Sequence, residues 1–308
     1  MTNHYLLQAT DVELIANLFN YFLIVAGIIF ALVIFYTFFY LIRYGAKRRP
    51  ETPSQVEGSE RVELILAIIA TTITAVFVYL TINTMEKVQD IPENPKPFLE
   101  ITGHQWWWEA KYPESGVITA NQIYIPTGKK ILLKLTSADV VHSWWVPELG
   151  RKMDMIAGVN NYMWMYAEKE GEYLGTCSEF CGVQHARMRI RVTALNPKDF
   201  EAWQQKQLLP VVTSTDALFL EGKQLFEEKT CTNCHAINGT EFKQNIGPNL
   251  THFASRKRFL ADMKENNEAN LRAWLTNPQA VKSGVKMPNF ILSDSEIDAL
   301  VAYINGLK

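Results

Sequence analysis

The chain has 308 residues, 48% of them hydrophobic, which is enough for about two or three domains with buried cores. This composition excludes disordered and collagen-like chains, and 30 basic against 32 acidic side chains leave no electrostatic footprint for nucleic acid. The four cysteines form two close pairs, Cys177/Cys181 and Cys231/Cys234, too few and too close for a disulfide scaffold, so cofactor chemistry is expected at both.

Two charge-free apolar runs near the N-terminus are each long enough to cross a membrane. They cover residues 14–42 and 64–85, whereas a bilayer core needs roughly 20 helical residues. A cleaved signal peptide is the alternative for the first run, but Asp11 and Glu13 stand where a basic start would be expected. We therefore predict a transmembrane helical hairpin as the first domain, residues 1–91.

Basic residues in the connector predict the orientation of this hairpin. The connector contains Arg43, Lys47, Arg48, Arg49 and Arg61, whereas no lysine or arginine precedes the first run. The positive-inside rule places the connector in the cytoplasm, and both termini and the metal domains on the periplasmic side of a bacterial inner membrane. At the cytoplasmic edge of the second run, Glu63 either faces a partner's polar channel or is a snorkelling interfacial carboxylate.

A proline-rich linker, residues 92–97, precedes a stretch of short strand patterns. Runs rich in β-branched and aromatic residues, separated by Gly, Pro, Ser and Asn, occur at 98–102, 117–125, 130–136, 162–167 and 189–193. Such spacing predicts a Greek-key β-sandwich for the second domain, residues 92–211.

A loop between late strands carries a soft set of metal ligands. It contains Cys177, Cys181, His185 and Met188, and His142 ends an earlier strand. Soft ligands favour copper. Two thiolates can bridge two metal ions, and each ion would then be completed by one histidine and one weak ligand, either Met188 or a main-chain carbonyl. A structural zinc site of Cys2His2 type and a disulfide between the two cysteines are the alternatives, although zinc gives no reason for Met188.

This loop resembles the copper A loop of subunit II of haem-copper cytochrome c oxidases. Three more segments carry the resemblance: Asp139-Val-Val-His142-Ser, Gly103-His104-Gln105-Trp106-Trp107-Trp108 and Glu63-Leu64-Ile65. The resemblance covers about residues 10–205 and implies a cupredoxin-like fold with a binuclear copper A centre. Its ligands would be His142, Cys177, the carbonyl of Glu179, Cys181, His185 and Met188.

The same resemblance implies roles beyond the copper ligands. The Glu179 carboxylate would bind a magnesium ion shared with subunit I, Trp106 would be the electron-entry aromatic, and Glu63 would mark the mouth of a proton path. Trp107 and Leu66 depart from the tyrosine and tryptophan that are usual in the family. Without the resemblance, Trp106 would be assigned to core packing or an interface.

The third domain, residues 212–308, contains Cys231-Thr-Asn-Cys234-His235. This spacing lets both thiols bind the vinyl groups of one haem while the imidazole reaches the iron. A thioredoxin-like redox pair is the alternative, but the preceding residues lack the strand of a βαβ unit. Met287 is the predicted sixth ligand, with Met263 and His252 as rivals.

Helical patterns flank the haem motif. A first helix is predicted over residues 216–229, and a capping box at Ser293 and Glu296 begins a last helix that Gly306 ends. The arrangement resembles a class I cytochrome c over about residues 215–308. That resemblance implies that the first and last helices cross, with Gly222 and Phe226 packed against Leu300 and Tyr303. It also implies that the carbonyl of Pro248 accepts a hydrogen bond from the His235 ring N–H.

The three domains in this order resemble the cytochrome-c-fused subunit II of bacterial caa-type cytochrome c oxidases. The resemblance implies that electrons from a donor, such as a cytochrome c or a quinol-oxidising complex, pass through haem c and copper A to subunit I. There, haem a and an oxygen-reducing site would couple oxygen reduction to proton translocation. Subunit III and membrane lipid would be further partners. A stand-alone membrane-anchored redox or metal carrier, and a copper A enzyme with another terminal reaction, are the alternatives.

Overall fold

A computed structural model describes residues 11–45, 58–211 and 214–308 of the chain. The chain divides into two compact units, Met1–Asp90 and Ile91–Lys308. Lys47, Arg48 and Arg49, on which the predicted orientation of the hairpin depends, lie outside the described residues.

The first unit contains two long apolar helices, α1 (Asp11–Arg43) and α2 (Glu60–Val88), which include both predicted apolar runs. Each is long and apolar enough to cross a membrane, by length and composition. The ring of Phe22 on α1 packs edge-on against Phe77 on α2, with 6.0 Å between ring centroids. Three threonine hydroxyls of α2 donate to carbonyls four residues earlier, so their polar atoms are satisfied within the helix.

The second unit begins with a β-sandwich of two five-stranded sheets. One sheet has the order β3-β2-β1-β5-β8 and the other β4-β10-β9-β6-β7, with parallel pairing of β1 with β5 and of β4 with β10. The strands are β1 (Leu99–His104), β2 (Trp107–Lys111), β3 (Ile118–Ala120), β4 (Gln122–Pro126), β5 (Ile131–Ser137), β6 (His142–Trp145), β7 (Met153–Met155), β8 (Asn161–Met165), β9 (Gly171–Cys177) and β10 (Arg189–Leu195). The predicted cupredoxin-like sandwich is confirmed.

The predicted strand over residues 117–125 is two strands. Asn121 lies in the left-handed region with φ 62° and separates β3 from β4, and its side chain accepts a hydrogen bond from Trp108 N at 3.0 Å. Within residues 92–211, strands β2, β7 and β9 and helix α3 (Pro197–Leu208) were not predicted. The prediction that His142 ends a strand is wrong, because His142 is the first residue of β6. The helix packs on the sandwich, where Trp203 stacks on Tyr124 with 4.5 Å between ring centroids.

The sandwich core is built around tryptophan and the metal-ligand candidates. Trp108 is fully buried, packs edge-on against Trp144 at 5.3 Å between centroids, and donates its indole N–H to the carbonyl of Arg189. Cys177, Cys181 and Met188 belong to the same buried cluster. These three sulfur donors therefore lie inside the core, whereas His185 is half-buried.

A helical part completes the second unit. Its elements are α4 (Ala217–Glu228), β11 (Arg258–Phe259), β12 (Lys264–Glu265), α5 (Glu268–Thr276), α6 (Pro278–Val281) and α7 (Asp294–Gly306). A Cβ atom at Gly222 would lie 1.9 Å from the carbonyl oxygen of Ala299, so only glycine permits α4 to cross α7 at this distance. The predicted helix crossing and the capping box of Ser293 and Glu296 are confirmed.

Candidate metal centres

Two thiols lie at the centre of the first candidate site. The Sγ atoms of Cys177, at the end of β9, and of Cys181 are 3.7 Å apart, and both side chains are buried. A disulfide would need about 2.05 Å, so the structure has two free thiols and not the disulfide alternative. Their contact lowers the pKa of Cys177 and raises that of Cys181, because Cys181 donates a hydrogen bond to its neighbour. One thiolate is therefore available at neutral pH.

Four further donor groups surround the sulfur pair. His142 Nδ1 lies 3.9 Å and the carbonyl oxygen of Glu179 3.3 Å from Cys177 Sγ. His185 Nδ1 lies 3.7 Å and Met188 Sδ 3.8 Å from Cys181 Sγ. Strand β6 brings His142 to the loop, because its residue Trp144 pairs with Cys177 on β9. The structure thus brings together all six predicted copper ligands.

The donor set fits copper. It consists of two thiols, two imidazoles, a thioether and a carbonyl, and His142 and Met188 are fully buried. Buried sulfur and imidazole donors suit a soft metal, and a weak thioether ligand is typical of copper electron-transfer sites. A zinc site would use the four cysteine and histidine donors and would leave the thioether without a role.

Asp139 fixes the ring of His142. Its Oδ1 is 2.9 Å from His142 Nε2, which leaves Nδ1 facing the sulfur pair. A carboxylate that holds the outer nitrogen of a histidine sets its tautomer and orientation toward a metal. The sequence motif contains Asp139, but sequence analysis gave it no role.

The second candidate site is a cavity whose wall contains Cys231, Cys234, His235 and Met287. His235 Nδ1 donates to the carbonyl of Pro248 at 2.7 Å, as predicted, and burial lowers the pKa of this imidazole, so it is neutral. A Cβ at Gly247 would lie 2.7 Å from the His235 ring, which therefore packs flat against the chain. Among the residues that the structure describes, the cavity wall includes Met287 and neither Met263 nor His252.

The cavity fits a haem. Its inner wall is apolar, made by Leu250, Phe253, Phe259, Trp274 and Phe290. The two thiols, the neutral imidazole and the thioether supply the bonds that a covalent haem with histidine and methionine ligation requires. An apolar wall also limits the access of water to the iron.

Trp106 contributes to both sites. Its indole Nε1 and the Gln105 side-chain amide each donate to the carbonyl of Cys181 at 2.9 Å. The Trp106 side chain also lines the second cavity, together with His104 and Trp107, whose rings stack at 4.1 Å. In the sequence, His104 stands only as part of the Gly103–Trp108 motif and has no assigned role. Its position in the cavity wall could not be inferred, because it depends on contacts between the sandwich and the helical part.

Two residues with predicted carboxylate roles, Glu179 and Glu63, have exposed side chains. The side chain of Glu179 is exposed, although its carbonyl faces Cys177. Glu63 lies in the first turn of α2, in the other unit, and is also exposed. Both carboxylates are exposed and can contact a partner.

Two family models match the chain: one described as cytochrome C oxidase subunit II, periplasmic domain, over residues 117–195, and one described as cytochrome c, over residues 219–308. Cytochrome c oxidase subunit 2 of Alkalihalophilus pseudofirmus is 35% identical over 93% of this chain and 86% of that protein. The corresponding Bacillus subtilis protein is 31% identical over 88% and 82%. A crystal structure of the periplasmic domain of subunit II of cytochrome oxidase from Bradyrhizobium japonicum is 32% identical, covers 37% of this chain and 95% of that chain, and has a TM-score of 0.35.

Proposed function

The chain belongs to the cytochrome c oxidase subunit II family, and from that premise we propose that it delivers electrons to a respiratory terminal oxidase through two metal centres of its own. The observation that carries this proposal is the position of Trp106, which donates to the copper-site loop and also lines the haem cavity. One side chain thus lies between two donor sets suited to one-electron chemistry. The apolar helices and the match to a periplasmic domain fit a membrane-anchored protein with a periplasmic part.

The residues that would hold each group follow from the two donor sets. Cys177 and Cys181 would bridge two copper ions, completed by His142, His185, Met188 and the carbonyl of Glu179. Cys231 and Cys234 would bind the haem, with His235 and Met287 on the iron. When bound, the copper pair supplies a site that shares one electron between two metals, and the haem supplies a one-electron site of high potential.

The chain's own residues would orient these groups and exclude water. Asp139 holds His142, and the Pro248 carbonyl holds His235, so neither ring can turn away from its metal. Burial of Cys177, Cys181 and Met188 limits the solvent that must reorganise when charge changes. Trp106 would be the aromatic through which electrons enter the copper site.

Partners would supply the remaining chemistry. Neither apolar helix contains a histidine, so haem a and the oxygen-reducing site would belong to subunit I, with subunit III as a further partner. The exposed Glu179 carboxylate would bind magnesium at the subunit I surface. Glu63 would lie at the entrance of a proton path, with the connector cytoplasmic, the metal domains periplasmic and lipid around the hairpin.

Metal and haem analysis of the purified full-length chain, with electron paramagnetic resonance, tests this function. We expect two copper ions that share one unpaired spin and one covalent haem per chain, together with a haem a-containing partner in the purified complex. Zinc in place of copper would contradict the proposal. A loaded chain that purifies without a haem a partner would instead support a stand-alone carrier.

Replacing Met188 with leucine should alter the copper site alone. Met188 is fully buried, and a volume-conserving exchange with leucine usually costs under about 1.5 kcal/mol, so the fold should persist while the thioether is lost. The copper signal in electron paramagnetic resonance should change, and the optical spectrum of the haem should not. An unchanged copper signal would contradict the assignment of Met188 as a ligand.

Electron entry should depend only weakly on salt. Residues 98–210 carry 12 basic and 12 acidic side chains, and residues 215–308 carry 11 and 11, so neither part has a net charge that would steer a donor. The tether also keeps the haem at an effective concentration of roughly millimolar or more near the copper site. Turnover of the intact complex should stay nearly constant as the Debye length falls from about 30 Å to about 8 Å. A steep loss of rate with added salt would argue against this prediction.

A further inference from the structure

Lys282 is a lysine buried in the interface between the helical part and the sandwich. It follows α6, and only 2% of the residue is exposed. Its Nζ donates to the carbonyl of Trp106 at 2.7 Å, across the interface, and to the carbonyl of Leu260 at 3.4 Å. Lysine is almost never fully buried unless it is paired with an opposite charge. Within residues 91–211 and 214–308, however, the two hydrogen-bond acceptors of Lys282 are uncharged main-chain carbonyls.

Burying the Lys282 amine costs desolvation free energy, which the contacts that it makes in this position must offset. Burial lowers the pKa of Lys282 to about 7. Cys181 opposes this effect by raising the pKa, and Arg187 adds to it by lowering the pKa, both by smaller amounts. If the helical part moved away from the sandwich, the Trp106 carbonyl would lose this donor. The hydrogen bond therefore exists only in this arrangement of the two parts.

Other polar contacts also join the sandwich to the helical part, but they do not involve Lys282. Arg191 of β10 forms two hydrogen bonds with Asp262, at 2.8 and 2.9 Å, and the Gln184 amide donates to the carbonyl of Ser283 at 2.7 Å. Lys257, whose side chain is 73% exposed, lies 3.2 Å from Glu172. These residues attach the two parts to each other, but none of these hydrogen bonds involves Trp106.

The chain packs closely beside the Trp106 ring at Gly284, two residues after Lys282. A Cβ at Gly284 would lie 2.8 Å from Val183 Cγ2 and 3.4 Å from the Trp106 ring. Trp106 thus donates its indole N–H to the Cys181 carbonyl and accepts from Lys282 at its own carbonyl, and its ring lies beside Gly284.

We propose that Lys282 is a positioning residue for electron transfer from the haem cavity to the copper-site loop, acting through Trp106. The proposal rests on the proposed function and adds a residue to it. The step it serves moves one electron from the reduced haem to the oxidised copper pair, and Lys282 itself is neither oxidised nor reduced. Its amine fixes the backbone of Trp106 while the indole remains bonded to the Cys181 carbonyl.

The direct test is Lys282→Met in the full-length chain loaded with haem and copper. Methionine keeps the apolar stem and removes the amine. After flash reduction of the haem, we expect electron transfer to copper to slow by roughly 10- to 100-fold, as for a misplacement of about 1 Å in a preorganised site. The matched control, Lys257→Met, removes an exposed lysine from the same interface and should transfer at the wild-type rate. A wild-type rate in Lys282→Met would overturn the proposal.

Potentials measured on the same samples separate positioning from a change in driving force. Lys282 forms no hydrogen bond with the proposed metal ligands, but it lies in the wall of the haem cavity and interacts electrostatically with Cys181. The two midpoint potentials therefore give the change in rate that driving force alone would cause, and we expect Lys282→Met to slow electron transfer beyond that change. A rate that falls only in proportion to a shift in either potential would overturn the positioning role.

Amine labelling of the wild-type chain provides a measurement that needs no variant. During brief acetylation followed by mass spectrometry, Lys282 should react far more slowly than Lys257. Equal labelling of the two lysines would overturn the proposal. A wild-type chain that binds no copper, or that moves no electron from haem to copper, would contradict the proposed function, whereas labelling of Lys282 contradicts the positioning role alone.

Discussion

Replacing Cys181 with serine should abolish the copper centre and stop electron delivery. Cys181 Sγ lies 3.7 Å from His185 Nδ1, 3.8 Å from Met188 Sδ and 3.7 Å from the other thiol. A serine hydroxyl stays protonated at neutral pH and is a hard donor, so it cannot replace a bridging thiolate. Loss of an outer-shell partner alone costs about 10- to 100-fold in metal affinity, and loss of a bridging ligand should cost more.

The measurements are copper per chain, the copper signal in electron paramagnetic resonance, and oxygen consumption by the intact complex. We expect less than one copper per chain and activity at background, while haem bound to Cys231 and Cys234 is retained. Ser178→Ala is the matched control, because Ser178 lies between the two cysteines and its hydroxyl bonds only the carbonyl of Thr176. Full copper content in Cys181→Ser would refute the bridging assignment.

Much of the copper site was predictable because its ligands are local in sequence. Cys177, Cys181, His185 and Met188 lie within twelve residues, and their spacing carries the chemistry before any fold is known. His142 was found through its motif, although it is 35 residues from Cys177. Its approach depends on the pairing of β6 with β9. The sequence predicts a strand that ends at His142, whereas His142 begins β6, and β9 was not predicted.

The missed strands have a physical explanation. Strand β9 begins with Gly171 and contains Gly175, which lies against the backbone of Trp145, where a Cβ would be only 2.2 Å from a carbonyl oxygen. Glycine lowers strand propensity, so close approach of the backbone at this position weakens the pattern that identifies a strand. The formation of β9 is therefore determined by tertiary packing and not by the local strand propensity of its sequence.

The surface between the sandwich and the helical part was not predictable. Lys282 and Trp106 are 176 residues apart, and a lone lysine in a loop ordinarily predicts a solvated surface. The paired charges of Arg191 and Asp262 are equally ordinary in sequence. Long-range contacts of this kind leave no periodicity or spacing that sequence analysis could detect.

Replacing Met287 with leucine should leave the sixth coordination position of the haem iron open and slow the reduction of the haem by its donor. Met287 lines the cavity with His235, and leucine occupies a similar volume without a donor atom. Methionine opposite histidine raises the haem potential, and axial ligands tune it over roughly 0.8 V. At 59 mV for each factor of ten, a fall of about 0.12 V would disfavour reduction of the haem about 100-fold. We expect slow reduction by an external donor and binding of carbon monoxide to the reduced haem, which the wild type should not bind.

Met263→Leu is the matched control, because it removes the rival thioether and leaves the cavity wall intact. It should keep the wild-type haem spectrum, bind no carbon monoxide and accept electrons normally. If Met263→Leu binds carbon monoxide and Met287→Leu does not, the axial assignment is wrong. If neither variant does, His252 becomes the candidate axial ligand, because its buried Nε2 has no hydrogen-bond partner among the described residues. The copper signal should remain unchanged in both variants, since neither methionine contributes to the sulfur pair and its four surrounding donors.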